Sequence, residues 1–276
     1  MAVALGGSTF LVTGAASGIG RALVTGLAAR GARGLAADID RDALERAASA
    51  EGWPPEVRRQ RLDISSASSW QEAAVIFEEH FGSRLDLCCN VAGVLRPGHT
   101  PDLLDNDIEL QIDVNFKGVV YGTRAAARLM IPHHRGHIVN IASLAALAPI
   151  PGLTIYSATK YAVRAFSLAA AEELRPHGIA VTVVCPDAVK TPMLDLQVGY
   201  EEAALTFTAP RFLEAAEVVQ LILGKVLEQR PLLVSLPKHR AFLARIADLF
   251  PSLARPIAGM LQKKGRQVQA DFRRDP

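Results

Sequence analysis

Short apolar runs alternate along this chain with longer stretches whose apolar positions recur at helical spacing. Residues 9–13 (T-F-L-V-T) are β-branched and apolar, and too few for a buried helix, so they predict a strand. A glycine-rich interval follows, and then residues 21–30, which have helical spacing and composition. Residues 34–40 predict a second strand with Asp38 at its end, and 41–50 a helix with a charged outer face that breaks at Gly52-Trp53-Pro54-Pro55. Residues 57–62 make a poor, arginine-rich strand, expected at an edge or a partner surface. Residues 65–81 predict a helix with serines available as caps and with Trp70, Ala74 and Phe77 spaced for burial. The pattern continues with a strand at 85–91, a long helical region at 101–130 and a strand at 136–142. A helix at 156–174 closes at Pro176-His177-Gly178, a strand follows at 179–185, and a seventh strand is expected near 232–235. Strands alternating with helices predict an α/β, doubly wound, mainly parallel sheet.

The composition narrows this picture. A length of 276 residues suits one large α/β domain, and 50% hydrophobic with 21% charged residues is globular rather than disordered. A net charge of +2 gives no case for a nucleic-acid partner. Cys88, Cys89 and Cys185 have neither disulfide-framework nor zinc spacing, and the adjacent pair reads as reduced strand filler. No metal site is expected. Residues 1–7 are too short for a signal peptide and no run of about 20 apolar residues predicts a spanning helix. A cytoplasmic location is the expectation, with a reservation about the C-terminal segment.

Three constellations carry candidate chemistry. The first is Gly14-Ala15-Ala16-Ser17-Gly18-Ile19-Gly20, set between a predicted strand and a predicted helix. Glycines there permit a tight turn and close approach of a pyrophosphate, to which the helix N-terminus offers free N–H groups. The second is Asp38, about 20 residues beyond that loop, where a carboxylate accepts hydrogen bonds from ribose hydroxyls and repels a 2′-phosphate. With a non-basic Ser17 beside the second loop glycine, this predicts NAD over NADP. The third is Tyr156 and Lys160, four apart and so on one face of a helix, with Ser143 upstream. A neighbouring ammonium favours the phenolate and would bring a tyrosine below its ordinary value near 10. Such a trio passes a proton to or from an alcohol or carbonyl oxygen. Standing alone, the same residues are an ordinary helix start with exposed side chains. Asn115 sits inside the long helical region, where asparagine is unfavourable. Its amide satisfies a neighbouring backbone group or an ordered water, or holds a water that links the lysine to solvent, and these roles need not exclude each other.

Together these residues resemble the short-chain dehydrogenase/reductase family in its classical form, over about residues 8–235. T-G-A-A-S-G-I-G (13–20) is similar to the family's cofactor fingerprint and N-V-A-G (90–93) to its N-N-A-G element. Asn115, Ser143, Tyr156 and Lys160 follow the order and approximate spacing of its catalytic tetrad. The resemblance implies a single Rossmann-type domain with a seven-stranded sheet, dimers or tetramers, and catalysis by these four residues. Tyr156 would be the general acid/base, and Ser143 would hold the substrate oxygen. Lys160 would lower the Tyr156 pKa and bind nicotinamide ribose, and Asn115 would support a relay water. It further implies that Gly14, Ser17, Gly18, Ile19 and Gly20 line the pyrophosphate. Asp63 and Ile64 would flank the adenine, and Asn90, with Ala92 and Gly93, would approach its ribose. Pro186, Val189 and Thr191 would lie beside the nicotinamide. Asp187 departs from the pattern, standing where the family has glycine; it is expected to point to solvent rather than contact substrate.

The expected pocket walls are apolar. They are the segment between Ser143 and Tyr156, the loop after Gly93, and the region after Thr191 with Met193, Leu194, Leu196, Val198, Tyr200, Leu205, Phe207 and Phe212. This predicts a lipophilic alcohol or ketone; packing of these residues among themselves or on a second subunit is the alternative. A catalytically silent NAD-binding sensor or membrane-docking protein on the same fold is the rival function. Residues 1–237 are expected to form the catalytic domain and 238–276 an extension. That extension has nine Lys/Arg against three acids, a net +6 that leaves −4 to the rest. Phe242, Leu243, Ile246, Leu249 and Phe250 recur there at helical spacing, and Leu253, Ile257, Met260 and Leu261 continue the stripe. A lid, an oligomer contact and a membrane-surface helix pair all fit this pattern. Residues 267–276 are expected to be disordered.

Overall fold

In the computed structural model, seven parallel strands form one sheet in the order β3-β2-β1-β4-β5-β6-β7. The strands are β1 (Thr9–Thr13), β2 (Arg33–Asp38), β3 (Val57–Arg61), β4 (Leu87–Asn90), β5 (Gly136–Ile141), β6 (Ile179–Pro186) and β7 (Leu233–Leu236). The structure describes residues 5–274, excluding the side chains of 253–258, 273 and 274. The helices are α1 (Gly18–Ala28), α2 (Arg41–Glu51), α3 (Ala67–Phe81), α4 (Asp105–Ile112), α5 (Gly118–Met130), α6 (Thr154–Leu174), α7 (Pro192–Val198), α8 (Ala215–Leu221), α9 (Leu227–Gln229), α10 (Lys238–Leu249) and α11 (Pro251–Arg274).

A parallel sheet needs both faces covered, and the apolar strands meet that need. All five residues of β1 are buried. One face packs Phe10, Val12, Leu87 and Cys89 with Leu23, Val24 and Leu27 of α1 and Val218 and Val219 of α8. The other packs Leu11, Cys88 and Ile138 with Trp70 and Phe77 of α3, Met130 of α5 and Ala170 of α6. Burying one such large apolar side chain contributes about 1.5–3 kcal/mol. Helix ends follow local chemistry: Asp40 caps α2 through Ala43 N (2.9 Å), and Gly52 ends it in the left-handed region at φ 63°. The arginine-rich β3 lies at one edge of the sheet, as its composition predicts.

The strand order reverses between β1 and β4, where the crevice of a doubly wound sheet opens at the carboxyl ends. Residues predicted to do chemistry cluster at those ends. One expectation fails: residues 267–274 belong to α11, a helix running to Arg274. It packs on the short 3-10 segment 201–208 so closely that a Cβ on Gly265 would lie 2.0 Å from Ala204 O. Phe272 joins an aromatic cluster with Phe207 and Phe212, at centroid distances of 6.0 and 5.5 Å. Partners distant in the chain order this segment, so polar local composition misleads there. The side chains of Leu253 and Ile257, in the predicted apolar stripe, lie outside the described residues. No helix among the described residues is long and apolar enough to cross a membrane.

Candidate active site

The β1–α1 turn sets one end of a cleft of about 600 Å³. Gly14 has φ +69° and Gly18 φ +51°, conformations that favour glycine. A Cβ at Gly20 would lie 2.0 Å from Gly14 O, so only glycine lets α1 start this close to the strand. Ser17 makes no side-chain cap, which leaves the first N–H groups of α1 facing the cleft. Asp38 stands at the end of β2. Its carboxylate accepts hydrogen bonds from Ala16 N (3.0 Å) and Asp40 N (3.1 Å), which fixes it beside the loop. Asp63 and Ile64 line the same end, and Ala92 and Gly93 the floor. Pro186, Val189 and Thr191 line the far wall. A narrow glycine cradle, unpartnered helix N–H groups and an oriented carboxylate fit a dinucleotide.

At the centre, β5 delivers Ser143 and the first turns of α6 carry Tyr156 and Lys160, all three on the cleft wall. Burial pushes the Tyr156 phenol up to about 12, while a hydrogen bond from Ser143 pulls it down. Burial pulls the Lys160 ammonium down to about 8. Lys160 Nζ donates to Ile141 O (3.1 Å) and lies 5.5 Å from the Tyr156 ring centroid. The net shift of the phenol is upward and set by desolvation, while the Lys160 ammonium is engaged by the Ile141 carbonyl. A phenol in this state holds its proton at neutral pH.

Asn115 resolves the puzzle of a mid-helix amide. It lies in a π-helical turn, Asp113–Lys117, between α4 and α5 and is fully buried. Its Oδ1 accepts from Val94 N and its Nδ2 donates to Val94 O, both at 2.8 Å. The amide thus fixes the loop after Gly93, where a Cβ would come 3.1 Å from Asn115 Oδ1 and 3.5 Å from Lys160 Nζ.

Two expectations are corrected. Asn90 does not face the cleft. It shares the strand parity of Cys88 and points toward α5 and α6, where its Nδ2 donates to Asn140 Oδ1 (2.8 Å). Asn140 donates in turn to Ser167 Oγ (2.9 Å), so Asn90 belongs to a buried polar network. Asp187 does not point to solvent. It lines the cleft, its side chain is 10% exposed, and it forms an ion pair with Arg240 of α10. Burial raises the Asp187 carboxyl and Arg240 opposes the rise.

The remaining wall is mostly apolar, with Arg96, Gln197 and Thr206 as its polar members, and is not divided as the sequence divides it. Met193, Leu194 and Leu196 of α7 line the cleft, while Phe207 is buried in the aromatic cluster behind it. Between Ser143 and Tyr156 only Leu153 reaches the cleft. Sequence reasoning missed Leu110 and Val114, whose four-residue spacing on the helical run before Asn115 was the available signal. It also missed Arg96, which is held by Asp107 at 3.4 Å. Among the described residues no His, Cys, Asp and Glu cluster could hold a metal.

The family model for short chain dehydrogenases matches residues 8–199. The chain belongs to the short-chain dehydrogenase/reductase family. This makes it an oxidoreductase of the family that interconverts alcohols and carbonyls with a nicotinamide cofactor. The chain is 34% identical over 222 residues to the 3-oxoacyl-(acyl-carrier-protein) reductase FabG of Thermotoga maritima, covering 79% of this chain and 90% of that one. It is 36% identical over 189 residues to a 3-alpha-(or 20-beta)-hydroxysteroid dehydrogenase of Mycobacterium bovis, covering 68% and 72%. A short-chain dehydrogenase/reductase of Burkholderia phymatum, solved in complex with NAD, superposes at a TM-score of 0.82 with 27% identity, covering 91% of this chain and 96% of that one.

Proposed function

We propose that this short-chain dehydrogenase/reductase is an NAD(H)-dependent enzyme that interconverts a lipophilic alcohol and its ketone or aldehyde, with Tyr156 as general acid/base. The convergence of Ser143, Tyr156 and Lys160 on one wall, opposite the glycine cradle, carries the reading. When bound, the nicotinamide ring gives or takes a hydride at the carbon that bears the substrate oxygen.

The chain's own residues divide the remaining work. Asp38 would receive the adenosine ribose hydroxyls on lone pairs its backbone bonds leave free, and it disfavours a 2′-phosphate. The first N–H groups of α1 would hold the pyrophosphate. Ser143 would hold the substrate oxygen next to Tyr156. With its pKa pushed up to about 12, the phenol is protonated at neutral pH, which suits donation to a carbonyl oxygen as it gains negative charge. Lys160, still largely protonated at neutral pH with a pKa of about 8, would supply positive charge beside the ring and replace the proton. The apolar residues Leu110, Val114, Leu153, Met193, Leu194 and Leu196 support a lipophilic substrate. The cations on the wall, Arg96 and Lys160, are already engaged by Asp107 and by the Ile141 carbonyl.

The test is NADH-coupled turnover across long-chain, terpenoid and steroid alcohols and ketones, with small polar compounds as controls. Wild type should turn over lipophilic compounds. Tyr156→Phe should lose about 10²–10⁴-fold in kcat while its NADH affinity, read by fluorescence titration, stays within about threefold. Turnover restricted to polar controls would defeat the substrate reading, and an active Tyr156→Phe would defeat the mechanism.

A further inference from the structure

Helix α10 reverses the usual rule of burial. Its small residues Ala241 and Ala244 face the domain, packed with the cluster that contains Leu144, Leu147 and Val163. Its large residues face outward: Phe242 is 64% exposed, Leu243 62%, Ile246 41%, Leu249 72% and Phe250, just past its end, 55%. At 3.6 residues per turn these five share one side of the helix. Isolated exposed apolar residues need no explanation, but a full helical face of two phenylalanines, two leucines and an isoleucine marks an interaction surface.

Charge indicates the occupant. Lys238 and Arg245 are exposed and seven positions apart, so they run along one border of the apolar face. Arg240 is turned inward to Asp187. The acid of α10, Asp248, lies away from that face and accepts a hydrogen bond from Tyr161 Oη at 2.7 Å. The face therefore presents apolar bulk, with exposed His239 among it, a cationic border and no carboxylate. The next helix continues the theme with exposed Met260, Lys263, Lys264 and Arg266. A second copy meeting it face to face would set the same cations against each other. An anionic lipid surface offers both hydrocarbon for the aromatics and phosphate for the cations.

We propose that the outward face of α10, Phe242, Leu243, Ile246, Leu249 and Phe250 with Lys238 and Arg245, is a docking surface for an anionic lipid bilayer. The inward face is anchored through Arg240–Asp187 and Tyr161–Asp248, so the helix is presented as a rigid element rather than one that must fold on arrival. The proposal does not depend on the substrate reading, and its test uses no turnover.

The experiment is co-sedimentation of the full chain with vesicles of phosphatidylglycerol and phosphatidylcholine, and with phosphatidylcholine alone. Binding to the anionic vesicles should be about tenfold or more the tighter. It should weaken sharply as salt rises from about 0.1 to 0.5 M, because the Debye length shrinks. Phe242→Glu with Leu249→Glu should abolish sedimentation. Lys238→Glu with Arg245→Glu should remove most of the anionic preference. All four positions are exposed, so melting curves should be unchanged. Absence of vesicle binding at low salt would overturn the proposal, as would binding that both double variants retain. So would light scattering that shows a wild-type oligomer dissociated by the Phe242/Leu249 variant without vesicle binding, since the face would then be a subunit contact.

Discussion

The glycine loop and the wall formed by α7 and residues 201–208 border the same cleft but are specified over different ranges of sequence. At the loop, Gly14, Gly18 and Gly20 fall within seven positions; the positive φ of the first two and the approach of Gly20 to Gly14 O are local backbone facts, to which Ala92 and Thr191 add close contacts at Gly14 and Gly18. The α7 wall is held from far along the chain. Gln269 Nε2 lies 2.9 Å from Gln197 O, 72 positions away, and 2.7 Å from Tyr200 O. Arg240 reaches Asp187 and Thr208 O. Cofactor geometry is thus written into a short motif, while substrate-wall geometry depends on a helix that the motif does not mention. The two ends should therefore fail separately when mutated.

Arg240→Ala gives the largest expected break. It leaves Asp187 buried without its partner, at a cost of about 3–5 kcal/mol, read by chemical denaturation. Arg240→Ala with Asp187→Gly should recover most of that loss, since no buried charge remains. If the double variant is no more stable than the single one, the pair is not what holds the two segments together. Asp38→Arg acts at the opposite end. It should shift the NAD:NADP preference by about 10- to 100-fold toward NADP, measured as a ratio of kcat/KM, because a repelling carboxylate becomes an attracting cation. An unchanged ratio would remove Asp38 from cofactor selection.

Gln269→Ala sharpens the comparison with a smaller effect. Losing its bonds to the α7 carbonyls should cost about 1–2 kcal/mol, raise KM for substrate and leave NADH affinity alone. If NADH affinity falls equally, the two ends are coupled rather than separate. The smallest effect is in pH. Lys160 is depressed to about 8, so its ammonium is present at pH 7 and lost as pH rises through that value. Reduction should then fall about fourfold between pH 7 and 8.5, with Tyr156 still protonated across the range. A flat profile would indicate that Lys160 titrates elsewhere or does not assist.

The difference in range also explains what the sequence made legible. Strand and helix alternation, the glycine loop, Asp38 and the Tyr156–Lys160 spacing are short-range features, and each stands where its pattern places it. Strand parity would have turned Asn90 inward with Cys88 had it been followed through β4. The π-helical turn at Asn115 left a trace only as an amide out of place in a helix. Arg240 was the hardest to read, because its partner is set by how α10 folds back on the β6–α7 loop. The clue was an aspartate where the family pattern has glycine, in a chain with a strongly basic C-terminal segment. Residues 267–274 misled for the same reason, since Gly265, Gln269 and Phe272 gain their meaning only against residues 197–212.

The edge strand β3 has a consequence for colloidal behaviour. Its free side presents backbone groups that a second extended chain would otherwise be able to join, two of which, Val57 O and Arg61 O, already accept from Arg59 Nη1 and Gln60 Nε2 at 3.1 Å. Arg58 and Arg61 stand exposed on it, and Arg59 is tied to Glu45 at 3.1 Å. An incoming strand would have to strip water from two guanidinium groups before its first ladder bond formed. The same arginines that make β3 a weak strand protect this edge of the sheet against templated aggregation.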